Sequence, residues 1–232
     1  MKIIRIVDDL VDKVIALGLV LLLLVGVYFI VDTAHVYRHA AAARISFRLG
    51  PEEQTAGGRP YTDDYVARLC LDGTGIDYPV MQGEDNSAYL DTDPYGEYSL
   101  TGSIFLDSRN SADFSDSYCL LYGHHMAADL MFGTLDRYYD DAYFDGHRGG
   151  TLQTADRLYR LEVFAVLRTD AREDAVFDPQ GSEAVIRLAR EDAVRFEEPD
   201  NHHILACSTC VDDRSTMRTV VLLSMTEEEA KG

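Results

Sequence analysis

Three scarcities narrow what this chain can be. It has 4 cysteines in 232 residues. They are too few for a disulfide framework in a domain this large. Basic side chains are also scarce. There are 21 Lys and Arg against 40 Asp and Glu, a formal net charge of −19, and such a surface repels phosphate backbones, which excludes nucleic acid as a partner. No internal repeat or low-complexity tract appears apart from Glu227-Glu228-Glu229, which excludes a solenoid or array.

One long uncharged apolar run is present, residues 14–31, 18 residues in length. That length crosses a bilayer core with little tilt. The alternative is a cleaved signal peptide, for which Ala40-Ala41-Ala42 offers small residues. That site lies well past the run, and Asp8, Asp9 and Asp12 do not suit a signal's n-region. A retained single-pass anchor is therefore expected. Lys2, Arg5 and Lys13 before the run and Arg38, Arg44 and Arg48 after it leave the orientation undecided by charge. The three bases and three acids before the run cancel, so the acidity lies beyond it.

The remainder suits one domain with a good core. Residues 36–49 are alanine-rich with helical character, and 52–59 form a polar linker. A helix is expected near 60–69, where Tyr65, Val66 and Leu69 recur at helical spacing. From Ile76 the texture changes to short β runs separated by turn residues, predicting strands at 78–82, 103–106, 117–122, 150–154, 158–168, 203–207 and 218–224. The longest of these alternates at its start, predicting one polar face there. A helix is expected over 181–194, where Val185, Ile186, Leu188 and Ala189 recur. The boundaries that follow are a tail at 1–13, an anchor at 14–31, a juxtamembrane helix and linker at 32–59, a catalytic domain at 60–226 and an acidic tail at 227–232.

Chemistry concentrates near the C-terminus. The apolar run Ile204-Leu205-Ala206-Cys207 leads through Ser208-Thr209 to Cys210, and Arg218 opens a second apolar run. If the two strands pair, thiol and guanidinium lie side by side. Upstream, Tyr122-Gly123-His124-His125 ends another apolar run and can bring an imidazole to the same rim. A thiol, an imidazole and a fixed positive charge suffice for cysteine-based acyl transfer. Cys207, ending an apolar run, reads as inert, and Cys70 and Cys119 as buried small hydrophobes. His125, His202 and His203 rival His124, and Arg214 rivals Arg218.

Two other readings stay open at this level. Cys207 and Cys210 have the spacing of a redox pair, although no helix of a thioredoxin-like βαβ unit follows them and extended residues three apart lie ~10 Å from each other. A zinc site could draw on the same two cysteines and the histidine pairs, but a second pair at the usual spacing is missing.

In order and spacing these residues resemble the sortases, and class B sortases in particular. Tyr78-Pro79-Val80-Met81-Gln82-Gly83 with Asp85-Asn86 and Tyr89-Leu90 looks like that class's first barrel strand and turn, and Gly102-Ser103-Ile104-Phe105-Leu106-Asp107 like its next strand. Tyr122-Gly123-His124-His125-Met126, followed by Met131-Phe132-Gly133, resembles the histidine segment, although asparagine usually follows the histidine. Ser208-Thr209-Cys210 and Arg218 complete the pattern. The resemblance runs from about Tyr61 to Ser224.

It implies a mostly β fold, a closed eight-stranded barrel with N-terminal helices, a helix before the catalytic-cysteine strand and a single transmembrane helix, with the catalytic domain outside the cell. It further implies a transpeptidase with Cys210 as nucleophile, His124 as acid and base and Arg218 as electrophilic stabiliser, supported by Asp212 and Thr209. The expected partners are secreted proteins bearing a C-terminal sorting motif and an amine from a peptidoglycan precursor or a pilin. The chemistry needs neither metal nor organic cofactor.

Overall fold

The computed structural model describes residues 2–45, 55–56, 59–127, 129–179, 181–210 and 216–228. The chain divides into two compact units, Met1–His39 and Ala40–Gly232. The chain begins with a 44-residue helix, α1 (Lys2–Ile45). Within it, Asp9–Arg38 is long and apolar enough to cross a membrane, and its large apolar side chains are exposed.

The second unit opens with a two-residue hairpin, β1 (Thr55–Ala56) and β2 (Arg59–Pro60). The main sheet follows: β3 (Tyr65–Leu71), β4 (Asp77–Met81), β5 (Ile104–Leu106), β6 (Tyr118–His124), β7 (Gly149–Gln153), β8 (Leu158–Asp170), β9 (Arg195–Phe196), β10 (Ile204–Cys210) and β11 (Met217–Glu227). Their spatial order is β11-β10-β6-β5-β4-β3-β7-β8, and a further β11–β8 ladder closes the ring, so eight strands form a barrel with β9 added to the side of β8. Closure leaves the ring without an unpaired edge. Most neighbours run antiparallel, but β6 pairs parallel with β10, and β4 with β5.

The period-two pattern of the strands sorts side chains into two cores. Leu121, Leu205, Cys207, Val221 and Leu223 fill the barrel interior with Leu69, Val80, Ile104 and Phe132. Their neighbours Tyr118, Leu120, Ile204, Ala206, Val220 and Leu222 face outward and are covered by a helical layer. That layer is α3 (Asp174–Phe177) and α4 (Ser182–Asp192), which contribute Val176, Val185, Ile186 and Ala189. The predicted helix at 181–194 is therefore present, on the outer face. A 3-10 turn at Gly133–Tyr139 and α2 (Asp141–Gly146) pack Leu135, Tyr138 and Phe144 with the interior cluster.

β8 shows how covering sets the pattern. Its first half alternates exposed and buried, as predicted, whereas residues 163–167 are buried on both faces because the helical layer lies over them. A register shift in its ladder with β11 at Leu222/Leu223 marks the irregularity that lets so long a strand bend.

The expected helix at 60–69 is not there. Residues from Tyr65 onward form β3, in which Ala67, Leu69 and Leu71 are buried and Arg68 and Cys70 are half-buried. The apolar residues that fit a helix also fit alternation, and pairing with β4 and β7 decided between them. Arg68 then meets Asp77 across the β3–β4 hairpin through two hydrogen bonds of 2.7 Å. Gly73, at φ +70 in the turn, supplies the left-handed backbone the hairpin needs. Cys70 is consequently only half-buried, not the core residue expected, whereas Cys119 is.

Candidate active site

The parallel β6–β10 ladder pairs Tyr118 with Ile204 at one end and His124 with Cys210 at the other. On its far side β10 pairs antiparallel with β11, with Ser208 opposite Val220. Among the described residues that ladder ends there, and Arg218, two residues before Val220, pairs on its other side with Thr169 of β8. His124 and Cys210 are neighbours in one row across β6 and β10, with backbones about 4.8 Å apart, and Arg218 lies at the β11 side of that row. His124 has the parity of Tyr118 and Leu120, and Arg218 that of Val220 and Leu222, which face outward. The Cys210 side chain and residues 211–215, which include Asp212 and Arg214, lie outside the described residues.

His124 is half-buried, and its Nε2 lies 2.7 Å from the carbonyl oxygen of Leu90. A carbonyl only accepts, so Nε2 carries the proton and Nδ1 is the remaining ring atom able to exchange one. Gly123 is required just before it. A Cβ there would come within 2.4 Å of Ile104 Cδ1 and 2.7 Å of Phe132 Cδ2. Arg218 is half-buried at the start of β11, with Nη1 donating to its neighbour Met217's carbonyl at 3.3 Å.

Thr209 is buried, because β10 continues past the expected end at 207 and through it to Cys210. Its Oγ1 accepts a bond from the Thr219 amide at 3.3 Å, which ties the residues flanking Cys210 and Arg218 together. The Thr219 hydroxyl donates to Asp136 Oδ1 at 2.6 Å, and the other oxygen of Asp136 holds His125 Nε2 at 2.8 Å. His125 is thus engaged with the 3-10 turn, away from the row.

The other rivals are placed elsewhere. His202 pairs with Glu183 at 2.7 Å, and His203 donates from Nε2 to the Phe114 carbonyl at 2.9 Å. Both precede β10 and lie roughly 23 Å along the chain from Cys210, at about 3.3 Å per residue. Cys207 is fully buried in the barrel interior, and that burial pushes its thiol well above the usual range. It lies ~10 Å from Cys210 along one continuous strand, too far for a disulfide. The redox pairing and the zinc grouping both need residues that this strand keeps apart.

A second cluster adjoins the row and was not anticipated. Asp107, fully buried just after β5, accepts five hydrogen bonds. Burial alone would raise its carboxyl. The bonds from Arg109, Tyr122 and Asn86 outweigh that and hold it below the ordinary carboxylate value. Its one sequence signal was an acid closing an apolar strand two residues before an arginine. The Leu90 carbonyl has no side-chain signature at all.

A family model described as the sortase domain matches residues 69–226. The chain belongs to the class B sortase family. It is 31% identical over 170 residues to Sortase B of Staphylococcus aureus, an alignment covering 68% of this chain and 69% of that one. It is 37% identical over 106 residues to Sortase B of Listeria monocytogenes, covering 46% and 43%. Among solved structures it superposes on Spy0129, a Streptococcus pyogenes class B sortase involved in pilus biogenesis, with a TM-score of 0.65 and 33% identity, over 72% of this chain and 94% of that one. It also matches the S. aureus sortase B–substrate complex, with a TM-score of 0.66 and 28% identity, over 73% and 82%. As a class B sortase it is a cysteine transpeptidase on a closed eight-stranded barrel.

Proposed function

We propose that this sortase joins a C-terminal sorting motif of secreted proteins to an amine, using Cys210, His124 and Arg218. The Cys210 thiolate attacks the carbonyl carbon of a threonine in the motif, and negative charge moves onto the carbonyl oxygen. Arg218 hydrogen-bonds that oxygen or the neighbouring peptide backbone. As the C–N bond breaks, His124 gives the Nδ1 proton to the departing amine and a thioester remains. An incoming amine then attacks the thioester, His124 takes back one proton, and sulfur leaves as the thiolate. Thr209 supports the row by fixing β10 to β11, and Asp212, two residues after the nucleophile in sequence, has a supporting role.

The observation that supports this reading most directly is the pairing of His124 with Cys210 across β6 and β10, with Arg218 at the start of the neighbouring β11. The span Asp9–Arg38 supports a membrane-anchored enzyme, and the family resemblance is the ground for setting its catalytic domain outside the cell. The amine comes from a peptidoglycan precursor or a pilin lysine, in keeping with the pilus role of the S. pyogenes relative.

The test is acyl-enzyme capture by mass spectrometry with a panel of threonine-containing sorting peptides, with triglycine as acceptor. Cys210→Ala should abolish capture. Capture that survives in this variant would remove Cys210 as the nucleophile.

A further inference from the structure

Asp107 has connections in three directions. Its Oδ2 accepts from Asn86 Nδ2 at 2.9 Å, from the Tyr122 hydroxyl at 2.9 Å and from Arg109 Nη2 at 2.8 Å. Its Oδ1 accepts from the Arg109 backbone amide at 3.0 Å and from Nε at 2.9 Å. Each partner anchors a different piece of structure near the row.

Asn86 begins the 84–103 segment and is itself fixed, because its Oδ1 accepts from the Ser108 amide at 2.8 Å. Four residues later that segment presents the Leu90 carbonyl to His124. Arg109 reaches the opposite way: its Nη2 donates to the Phe177 carbonyl at 2.7 Å, and its Nη1 to Asp178 at 3.4 Å. These residues end α3, in the segment that crosses the outer face before α4. Tyr122 lies between them on β6, two residues before His124, with its ring against Phe105 (5.3 Å) and stacked on Phe177 (6.5 Å, 12°).

A buried carboxylate is costly unless paired and fully hydrogen-bonded. A neutral side chain of the same shape could not accept all five donors, so the charge is what holds them together. We propose that Asp107 is a positioning residue that fixes the spacing between the 84–103 segment and the α3 segment above the catalytic row. This rests on the reading of that row as the site of peptide attack. The carboxylate touches no reacting atom. It sets the width of the surface where the donor peptide lies, and through Asn86 the placement of the carbonyl that orients His124.

The test uses the full chain in detergent, with Asn86→Ala, Tyr122→Phe and Arg109→Lys as single cuts and Asp107→Asn as the central one. KM and kcat are measured for transfer of the best-captured peptide to triglycine. In parallel, mass spectrometry follows the rate at which the methanethiosulfonate reagent MTSET modifies Cys210. Arg109→Lys should raise KM about five-fold or more while kcat stays within about two-fold, because it loosens only the α3 side. Asn86→Ala should raise KM as much and also lower kcat, because it loosens the segment that orients His124. Each should also change the MTSET rate at least about three-fold.

Variants that melt earlier yet keep the parent KM and labelling rate would reduce Asp107 to a purely structural role and overturn the proposal. If Asp107→Asn does not fold, the three single cuts still decide. Activity surviving in Cys210→Ala would instead overturn the nucleophile assignment, leaving the labelling rates to judge Asp107 alone.

Discussion

His124 Nε2 donates to the Leu90 carbonyl oxygen at 2.7 Å, so a loop backbone 34 residues upstream sets the tautomer of the histidine. Neutral His124 should therefore carry its proton on Nε2. Long-range ¹H–¹⁵N correlation spectra of ring-labelled protein read this directly. A protonated Nδ1 in the neutral form would show that the Leu90 contact does not govern the ring.

Among the described residues, the barrel hides two thiols. Cys119 and Cys207 are fully buried, and burial pushes both thiols upward. In native protein at neutral pH, MTSET should modify Cys210 and leave Cys119 and Cys207 untouched, whereas denaturant should expose all four cysteines. Native labelling of Cys207 at the rate of Cys210 would contradict its interior placement.

Gly123 should tolerate no side chain. Gly123→Ala places a methyl against Ile104 and Phe132, a clash of the overpacking kind that costs about 1–3 kcal/mol. The displacement falls on the residue preceding His124, so activity should drop further than stability alone explains. Chemical denaturation and peptide turnover, measured together, check this. An unchanged denaturation midpoint would mean that Phe132 moves aside freely.

Asp107 predicts an acid limb in stability. Its folded carboxyl lies below the unfolded value of about 3.9, so its contribution is present above that pH and is lost as pH falls toward the folded value. Thermal melts followed by circular dichroism between pH 2 and pH 6 should show stability declining below about pH 4. Asp107→Asn should flatten that decline. The same slope in the variant would assign the acid sensitivity to other carboxylates.

Much of the barrel was legible because alternation and turn residues are local signals. β4 to β8, β10 and β11 fall where runs such as Leu120-Leu121 and Val220-Val221-Leu222 placed them. β3 was not, since Tyr65, Val66 and Leu69 satisfy both periods, and only pairing with β4 and β7 selects one. The end of β10 was also misread. Ser208 and Thr209 look like turn residues, yet both are buried and the strand runs on. Thr209 satisfies its hydroxyl on the Thr219 amide, a partner ten residues away. The Asp107 cluster draws on residues 86, 109, 122 and 177, so no local window contains it.

The parallel ladder of β6 and β10 joins segments 86 residues apart, and the last strand, β11, both flanks β10 and seals the ring against β8. Contacts of such long range form late and slowly. A partly made chain can therefore hold its histidine long before it has anything to activate. On the proposed assignment, Arg218 joins His124 and Cys210 only once this last strand is in place.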